Sequence, residues 1–484
     1  MRINLSMVRS NANFKNYLII SSVCIFISCS KQAFQNPCDY SSSFFLNSIL
    51  LKYAINDTSQ HCGVNFLVSL NDFSPTSGYF GTKVKINGNG FSNSLSNNTV
   101  KFNGKTAILT EVNSSSITAI APSLATSGPI SISIANITVN SVYSFLFNGF
   151  LFLQALNLTG NVSSLAGSSG TSGYIDGAGS NARFLAPRDI TTDGQNLFVT
   201  DSGNNVVRKI IIVTGEVSTV AGTSTAGSTD GISTSARFNV PRGIATDGTN
   251  LYVTDSANHT IRKIVLATGE VTTIAGLAGV SGSSDGTGSS ARFNGPVGVA
   301  SDGTNLYITE FSNHTIRKIV ISTGVVSTYS GLALTSGNTN GNVTSARFFN
   351  PIGITTDGLN LYIGDSSNHV VRKVDLASSE VSTIAGSGTP GSNDGIGNSA
   401  TFNNPNGVST DGTFIYVADR ANHTIRKIAI ATSEVTTIAG TAGVAGSAEG
   451  NGINAKFNFP SGLTQNGTDL FITDFQNQTI RKIQ

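Results

Sequence analysis

Residues 239–276 read NVPRGIATDGTNLYVTDSANHTIRKIVLATGEVTTIAG and contain four short runs rich in Ile, Val, Tyr and Thr. Asp-Gly, Asn-His and Thr-Gly turn signals separate the runs, a pattern that is typical of antiparallel strands. No helical periodicity accompanies them. The stretch therefore predicts a four-stranded antiparallel sheet.

The same sequence motif occurs six times, and each copy contains a proline that lies 54 or 55 residues after the proline of the previous copy. A unit of this size cannot bury its apolar face alone, so the copies must stack on one another. One small sheet per repeat is typical of a β-propeller, which has roughly four to eight blades. We number the repeats 1 to 6 by their prolines, Pro187, Pro241, Pro296, Pro351, Pro405 and Pro460.

The two ends of the array predict how it closes. Repeat 6 ends at Gln484, directly after its third predicted strand, and so lacks a fourth. The run LTGNVSSLAG from Leu158 aligns with LATGEVTTIAG of repeat 2 and could supply that strand. Such pairing would remove an exposed sheet edge. We therefore predict an all-β chain with a closed six-bladed propeller over residues 151–484.

Four repeats carry Asn-His after the second predicted strand, at Asn258-His259, Asn313-His314, Asn368-His369 and Asn422-His423. These phrases resemble the NHL repeat, although repeats 1 and 6 have Asn204-Asn205 and Asn477-Gln478 instead. The resemblance implies a propeller that serves as a binding platform or, less often, as an enzyme. We expect the histidines to be structural turn residues, because turns on separate blades lie too far apart to share a metal.

The N-terminus predicts export. A basic start, an apolar run over residues 17–27 and then Ser28-Cys29 resemble a bacterial lipoprotein signal of the spirochaete type. The resemblance implies a signal peptide over residues 1–28, lipid on Cys29, and contact with the membrane through that lipid only. Cleavage as an ordinary secreted protein is the alternative. The expected location is the cell envelope, with the outer membrane favoured.

After the signal we expect an anchor segment over residues 29–70 and a small domain over residues 71–148. Cys38 and Cys62 are predicted to form a disulfide, because a pair of thiols in an exported chain is typically oxidised. The second segment alternates apolar and polar residues between turns. Through Ser74-Pro75, the Gly88-Asn89-Gly90-Phe91 turn and the run from Val100 to Gly104, it resembles the IPT/TIG immunoglobulin-like domain. That family implies a β-sandwich acting as a spacer or interaction module.

Charge argues against nucleic acid or an acidic membrane surface as the main partner. The formal net charge is only +2, and the sequence contains no basic block that would bind either one. No oligomerisation signal is evident. The six Arg-Lys pairs on the third strand are expected at a solvated edge or between blades, since adjacent strand residues point to opposite faces. They run from Arg208-Lys209 to Arg481-Lys482.

Loops between repeats carry an acid and a base at equivalent positions. We expect turn formation and ion pairs that pin the loops. Calcium is the alternative, but one Asp-Gly per loop supplies too few oxygen ligands, so no cofactor is predicted. The acids are Asp176, Asp230, Asp285, Asp394 and Glu449.

A specific site is expected where the repeat is broken. Arg188 and Arg242 follow their prolines, Asp189 replaces a glycine, Glu310 replaces the Asp that ends the second strand, and Arg420 replaces Ser or Phe. The Asn-His turns and the loops between repeats are expected on one face of the propeller, which we call the loop face. The first strand of a blade is innermost and begins on that face. These five residues are therefore the candidate ligand-binding site at the mouth of the central channel.

The series of anchor, spacer and propeller favours a non-catalytic binding or scaffold protein, which would bind a protein or glycan through the loop face. The alternative is an envelope enzyme that resembles six-bladed propeller lactonases and lyases, with a metal at the channel mouth. That alternative predicts acidic or histidine side chains converging at the mouth. The sequence offers only Asp189 and Glu310 for this role.

Overall fold

The computed structural model describes residues 68–75, 77–78, 83–121, 128–134, 137–147 and 155–484. The predicted signal peptide, Cys29, Cys38 and Cys62 lie outside these ranges. The described residues form β-strands and short 3₁₀ turns, without an α-helix among them. Within the same ranges no helix has the length and hydropathy needed to cross a membrane.

Residues 69–147 form two sheets with a shared core, with strand orders β1-β3-β7-β6 and β2-β9-β8-β4-β5. Alternate residues such as Ile86 and Ile132 are completely buried in that core, as the predicted half-buried strands require. A side chain at Gly88 would overlap the carbonyl oxygen of Ser69, which explains the glycine in the predicted turn. The strands are β1 (Ser69–Ser74), β2 (Ser77–Gly78), β3 (Lys83–Asn89), β4 (Asn98–Phe102), β5 (Lys105–Thr106), β6 (Ile108–Val112), β7 (Ser116–Ile120), β8 (Gly128–Ile134) and β9 (Ile137–Phe147).

Residues 161–484 form six five-stranded antiparallel sheets, one per repeat. The sequence predicted four strands. The fifth is a two-residue strand from the preceding loop, as where Gly177–Ala178 pairs with Val217 and Glu216. It covers an outer edge that would otherwise have unpaired backbone groups.

The strands of the repeats are β10 (Asn161–Ala166), β11 (Gly177–Ala178), β12 (Pro187–Thr192), β13 (Asn196–Asp201), β14 (Val206–Ile211), β15 (Glu216–Gly222), β16 (Gly231–Ile232), β17 (Pro241–Thr246), β18 (Asn250–Asp255), β19 (Thr260–Val265), β20 (Glu270–Ala275), β21 (Gly286–Thr287), β22 (Pro296–Ser301), β23 (Asn305–Glu310), β24 (Thr315–Val320), β25 (Val325–Ser330), β26 (Gly341–Asn342), β27 (Pro351–Thr356), β28 (Asn360–Asp365), β29 (Val370–Asp375), β30 (Glu380–Ala385), β31 (Gly395–Ile396), β32 (Pro405–Thr410), β33 (Phe414–Asp419), β34 (Thr424–Ala429), β35 (Glu434–Ala439), β36 (Gly450–Asn451), β37 (Pro460–Gln465), β38 (Leu470–Asp474) and β39 (Thr479–Ile483). The 3₁₀ turns are Leu95–Asn97, Gly179–Asn181, Ser202–Asn204, Ser233–Ser235, Ser256–Asn258, Gly288–Ser290, Ser366–Asn368, Gly397–Ser399, Arg420–Asn422, Gly452–Asn454 and Phe475–Asn477.

The strand that begins at each repeat proline is the innermost strand of its sheet, and consecutive innermost strands contact one another. β12 of repeat 1 also contacts β37 of repeat 6. Neighbouring sheets share apolar cores, as where Phe198 of repeat 1 packs with Phe238 and Ile244 of repeat 2. In repeat 6, β10 pairs antiparallel with β39, with Val162 opposite Ile483.

The arginines of the six Arg-Lys pairs are fully buried, so the solvated edge, one of the two predicted positions, is wrong. Arg208 contacts Asp201 at 2.9 Å and the loop residue Asp176 at 2.6 Å. Its guanidinium carbon lies 5.0 Å from the ring centroid of Phe184. Ion pairs therefore pin the loops, but the basic partner is the strand arginine. The loop arginine Arg183 donates to backbone carbonyls instead.

The Asn-His turn joins one sheet to the next. Asn258 Nδ2 donates a hydrogen bond to Asp255 at 2.7 Å. His259 has a left-handed backbone with φ +57°, and its Nδ1 accepts the backbone N–H of Gly295 in repeat 3 at 3.2 Å. The bond requires only an acceptor, so Asn or Gln can replace the histidine. Side-chain amide oxygens make it in repeats 1 and 6, at Asn205 and Gln478.

Candidate functional site

Two adjoining cavities are lined by the innermost strands of all six repeats. The first, which we call the mouth, is lined by the two residues that follow each repeat proline: Arg188, Asp189, Arg242, Gly243, Val297, Gly298, Ile352, Gly353, Asn406, Gly407, Ser461 and Gly462. The second, which we call the axial channel, is lined by residues that come later in the same strands. Asp189 lines both cavities.

Glycines allow the innermost strands to approach one another at the mouth. A side chain at Gly243 would overlap the carbonyl oxygen of Val297 in the next repeat, and one at Gly298 would overlap that of Ile352. Five repeats have glycine at this position. Asp189 of repeat 1 is the exception, and it places a carboxyl group between the mouth and the axial channel.

The Asp189 carboxyl group bonds to the backbone of two repeats. Its Oδ1 accepts the N–H of Ile190 at 2.9 Å, and its Oδ2 accepts the N–H of Ile244 in repeat 2 at 3.1 Å. Burial raises the pKa of Asp189 to about 7, although both hydrogen bonds oppose that shift. Asp189 therefore bridges repeats 1 and 2 rather than neutralising a nearby arginine.

Arg188 and Arg242 line the mouth, whereas Arg420 does not line it but lies close enough to affect the charge of both. We call these three residues the arginine cluster. Burial, and then the charges of Arg242 and Arg420, lower the pKa of Arg188 to about 10. Burial and the charge of Arg242 likewise lower the pKa of Arg420. Each shift reflects like charges held close together in a partly desolvated site.

Aromatic rings hold two members of the arginine cluster. The guanidinium carbons of Arg188 and Arg420 lie 4.8 and 5.3 Å from the ring centroid of Phe475. Arg420 also lies 4.9 Å from the ring centroid of Phe459. Cation–π contacts of this kind stabilise a guanidinium without using its hydrogen-bond donors. They therefore fix the cluster and leave its N–H groups available.

Glu310 does not line the mouth, so its prediction as a ligand-binding residue there is wrong. Its side chain is completely buried, 3.2 Å from Arg317 and 2.7 Å from the hydroxyl of Thr315. It replaces the Asp of the other repeats and, like that Asp, forms an ion pair with the buried arginine of its own repeat. A fully buried guanidinium without a carboxylate partner would be strongly destabilising.

Sequence reasoning missed the aromatic residues and the uneven lining of the mouth. Phe459 and Phe475 were not singled out, although the alignment showed that Arg420 and Phe475 occupy the same repeat position. The residue after each proline is apolar in repeats 3 and 4 and polar in the other four. Listing that one position for all six repeats would have shown a mouth with an apolar side and a cationic, polar side.

The described part of the chain contains no group of three or more His, Cys, Asp or Glu side chains able to hold a metal ion. The loop acids considered for calcium contact arginines, as Asp230 does with Arg262 at 2.7 Å. In repeat 6, Glu449 instead accepts the backbone N–H of Ser164.

Known proteins match both parts of the chain. The IPT/TIG domain model matches residues 69–148, beginning two residues before the predicted start. NHL repeat-containing protein 2 of Homo sapiens is 28% identical over 339 residues, which cover 61% of this chain and 46% of that protein. Protein SUPPRESSOR OF QUENCHING 1, chloroplastic, of Arabidopsis thaliana is 31% identical over 328 residues, or 63% of this chain and 31% of that protein. The chain joins an IPT/TIG domain to an NHL-type propeller.

Solved structures share this fold. A protein of unknown function from Bacteroides thetaiotaomicron aligns with a TM-score of 0.52 and 22% identity, over 86% of this chain and 97% of its own. An auxiliary nutrient binding protein from the same organism aligns with a TM-score of 0.51 and 18% identity over the same shares. These likenesses establish only the fold of the IPT/TIG domain and NHL-type propeller. The chain spans less than half the length of the curated relatives quoted above.

Proposed function

We propose that the chain is a non-catalytic binding protein of the cell envelope, which binds a protein or glycan through the loop face of its NHL-type propeller. The observation that carries this proposal is the mouth. Most polar side chains of the repeat make internal ion pairs or hydrogen bonds that stabilise the fold, as Asp201 and Arg208 do. At the mouth, by contrast, arginines that break the repeat stand opposite the apolar Val297 and Ile352. A concave surface with one apolar and one polar side suits ligand binding.

The loop face can be tested by blocking it. Ser312 lies exposed in the turn after β23, on the loop face, whereas Thr304 lies exposed in the hairpin at the opposite end of the same strand. With the full chain on glycan arrays and in affinity capture from envelope extracts, Ser312→Trp should weaken binding and Thr304→Trp should not. Binding that is equal in both variants, or the absence of any bound partner, would overturn the proposal.

We also propose that the six sheets are the blades of one closed ring, with β10 as the fourth strand of repeat 6. Ser164 of β10 donates its backbone N–H to Glu449, as Thr219 of β15 donates to Asp176 in repeat 1. The contact of β12 with β37 also supports a ring.

A disulfide can test closure. Ser163 of β10 lies directly opposite Lys482 of β39. A chain carrying Ser163→Cys and Lys482→Cys should form that cross-link on oxidation, detectable by peptide mass mapping. The thermal midpoint should then rise, because the bond closes a loop of several hundred residues in the unfolded chain. Failure to cross-link in the folded protein would contradict closure.

The anchoring hypothesis rests on Ser28-Cys29 after the apolar run. We propose lipid on Cys29, a Cys38–Cys62 disulfide, and the IPT/TIG domain as the spacer below the propeller. Labelled palmitate should enter the wild type and a Cys24→Ser control but not Cys29→Ser. Protease shaving of intact cells should remove the propeller if the anchor lies in the outer membrane and displays it outward, whereas protection would place the protein inside the envelope.

A further inference from the structure

The arginine cluster contains positive charges without a counter-ion among the described residues. Six other arginines, those of the Arg-Lys pairs, are buried more deeply, and all six show the same solution: each lies against a fully buried carboxylate and at least one backbone carbonyl, as Arg262 does with Asp255 and Arg237. No ion pair within the described ranges involves a member of the arginine cluster. The fold therefore neutralises the structural arginines and leaves those of the cluster unneutralised.

The nearest acidic candidate does not supply the missing charge. Both carboxyl oxygens of Asp189 accept backbone N–H groups, from Ile190 and Ile244. Burial also favours the neutral form of this carboxyl group, which weakens any field it exerts on Arg188 or Arg242.

Holding three like charges close together costs free energy. An aromatic ring restrains two of the three guanidinium groups. Phe475 of repeat 6 contacts both Arg188 of repeat 1 and Arg420 of repeat 5. A cation–π contact restrains each guanidinium while its planar array of donors remains free to meet an oxyanion. The site is thus organised before any ligand arrives, which reduces the entropy cost of binding.

We propose that the arginine cluster binds an oxyanion group, a carboxylate, sulfate or phosphate, on the ligand that enters the mouth. This inference rests on the proposed function and names the chemistry of its ligand. Guanidinium groups bind such oxyanions through paired, charge-assisted hydrogen bonds. Asn406 and Ser461 supply neutral polar groups on the same side of the mouth, and Val297 and Ile352 supply apolar contact for the remainder of the ligand.

The test uses the full chain with sodium sulfate, inorganic phosphate and sodium acetate as probes, each against sodium chloride at equal ionic strength. At least one oxyanion should raise the thermal midpoint above the chloride control and bind with a measurable enthalpy. A response to acetate alone identifies a carboxylate site, and a response to sulfate or phosphate identifies a site for a tetrahedral anion. If no probe differs from chloride, the inference is wrong.

Variants locate the site. Arg242→Gln should weaken oxyanion binding at least tenfold, and Arg188→Gln with Arg242→Gln should abolish it. Arg237→Gln, at an exposed loop arginine outside the mouth, is the matched control and should bind as the wild type does. Equal binding by the cluster variants and the control would show that the effect is a general one of charge.

Charge reversal gives a second readout that does not depend on a ligand. Arg242→Glu should raise the thermal midpoint in plain buffer, because it places a counter-ion beside Arg188, and it should remove the oxyanion response. A lower midpoint with an unchanged oxyanion response would overturn the inference. Its failure is separable from that of the proposed function, because capture that depends on Ser312 would persist without any oxyanion response.

Discussion

Glu310 Oε2 lies 3.2 Å from Nη1 of Arg317, and both side chains are completely buried. The same guanidinium contacts Asp285 at 2.7 Å, but that carboxylate is 52% exposed. One arginine thus pairs with two carboxylates in different environments. Desolvation makes the loss of the buried partner far more costly than the loss of the exposed one.

Glu310→Gln should lower the free energy of unfolding by roughly 3–5 kcal/mol, because it leaves the buried Arg317 with only its exposed partner. Asp285→Asn should cost less than about 1 kcal/mol. Glu310→Asp restores the residue of the other five repeats and should cost little. Urea unfolding of the three variants at neutral pH measures these differences. Similar losses for Glu310→Gln and Asp285→Asn would contradict the assignment.

The Asn-His turns predict a loss of stability in acid. Each histidine Nδ1 accepts a backbone N–H from the next repeat and must be unprotonated to do so, as His259 does with Gly295. Burial lowers the pKa of all four below the ordinary 6.5. The unfolded chain therefore takes up these protons first. The stability that the bonds contribute is present above about pH 6.5 and is lost as the pH falls below it.

Replacing the four histidines with Asn copies Asn205, whose Oδ1 accepts the equivalent N–H in repeat 1 at 2.8 Å. The quadruple variant should have a smaller fall in urea midpoint between pH 7.5 and 5 than the wild type. A variant with an unchanged slope would show that other groups control the acid response. The replaced positions are His259, His314, His369 and His423.

Asp189 predicts a pH effect of opposite sign. Its pKa is raised from 3.8 to about 7, so the folded chain keeps the proton that the unfolded chain has lost between these values. The stability from the neutral carboxyl group is present at low pH and is lost as the pH rises through about 7. Asp189→Gly, the residue of the other repeats, should therefore be more stable than the wild type at pH 8, by at most about 4 kcal/mol at about 1.4 kcal/mol per pKa unit, less the contribution of the two hydrogen bonds that the carboxyl group accepts.

The advantage of Asp189→Gly should shrink at pH 5, where the folded-state carboxyl group is protonated and only part of the penalty remains. Urea unfolding at pH 5 and pH 8 measures the change. Direct titration of the Asp189 carboxyl carbon by NMR is the independent check, and a midpoint near 4 would contradict the raised pKa.

The glycines of the mouth predict a steric effect. Gly298→Ala should cost more than about 2 kcal/mol, because the added methyl group would overlap the carbonyl oxygen of Ile352. Gly397→Ala is the control for backbone strain alone, since Gly397 has φ +56° and no heavy atom within 4 Å of an added methyl group. It should cost about 1 kcal/mol. Equal thermal midpoints for the two variants would show that the mouth can widen.

Some features of the fold were predictable because they depend on residues close together in sequence. The strands of residues 239–276 follow from alternating β-branched residues and turn signals, and the IPT/TIG domain from a similar pattern around Gly88. The fifth strand was not predictable, because Gly231–Ile232 carries no strand signal of its own and pairs only when the loop crosses the edge of β20.

The sequence by itself determined the repeat, the strands and the positions where the repeat is broken, because turn chemistry and strand alternation act over a few residues. Only the tertiary structure decided what those breaks do. Glu310 is the buried ion-pair partner of Arg317. Arg188 of repeat 1 and Arg420 of repeat 5 both contact the ring of Phe475 in repeat 6. Burial and packing between different repeats determine the electrostatic environment of each side chain, and neither can be deduced from the sequence of one repeat.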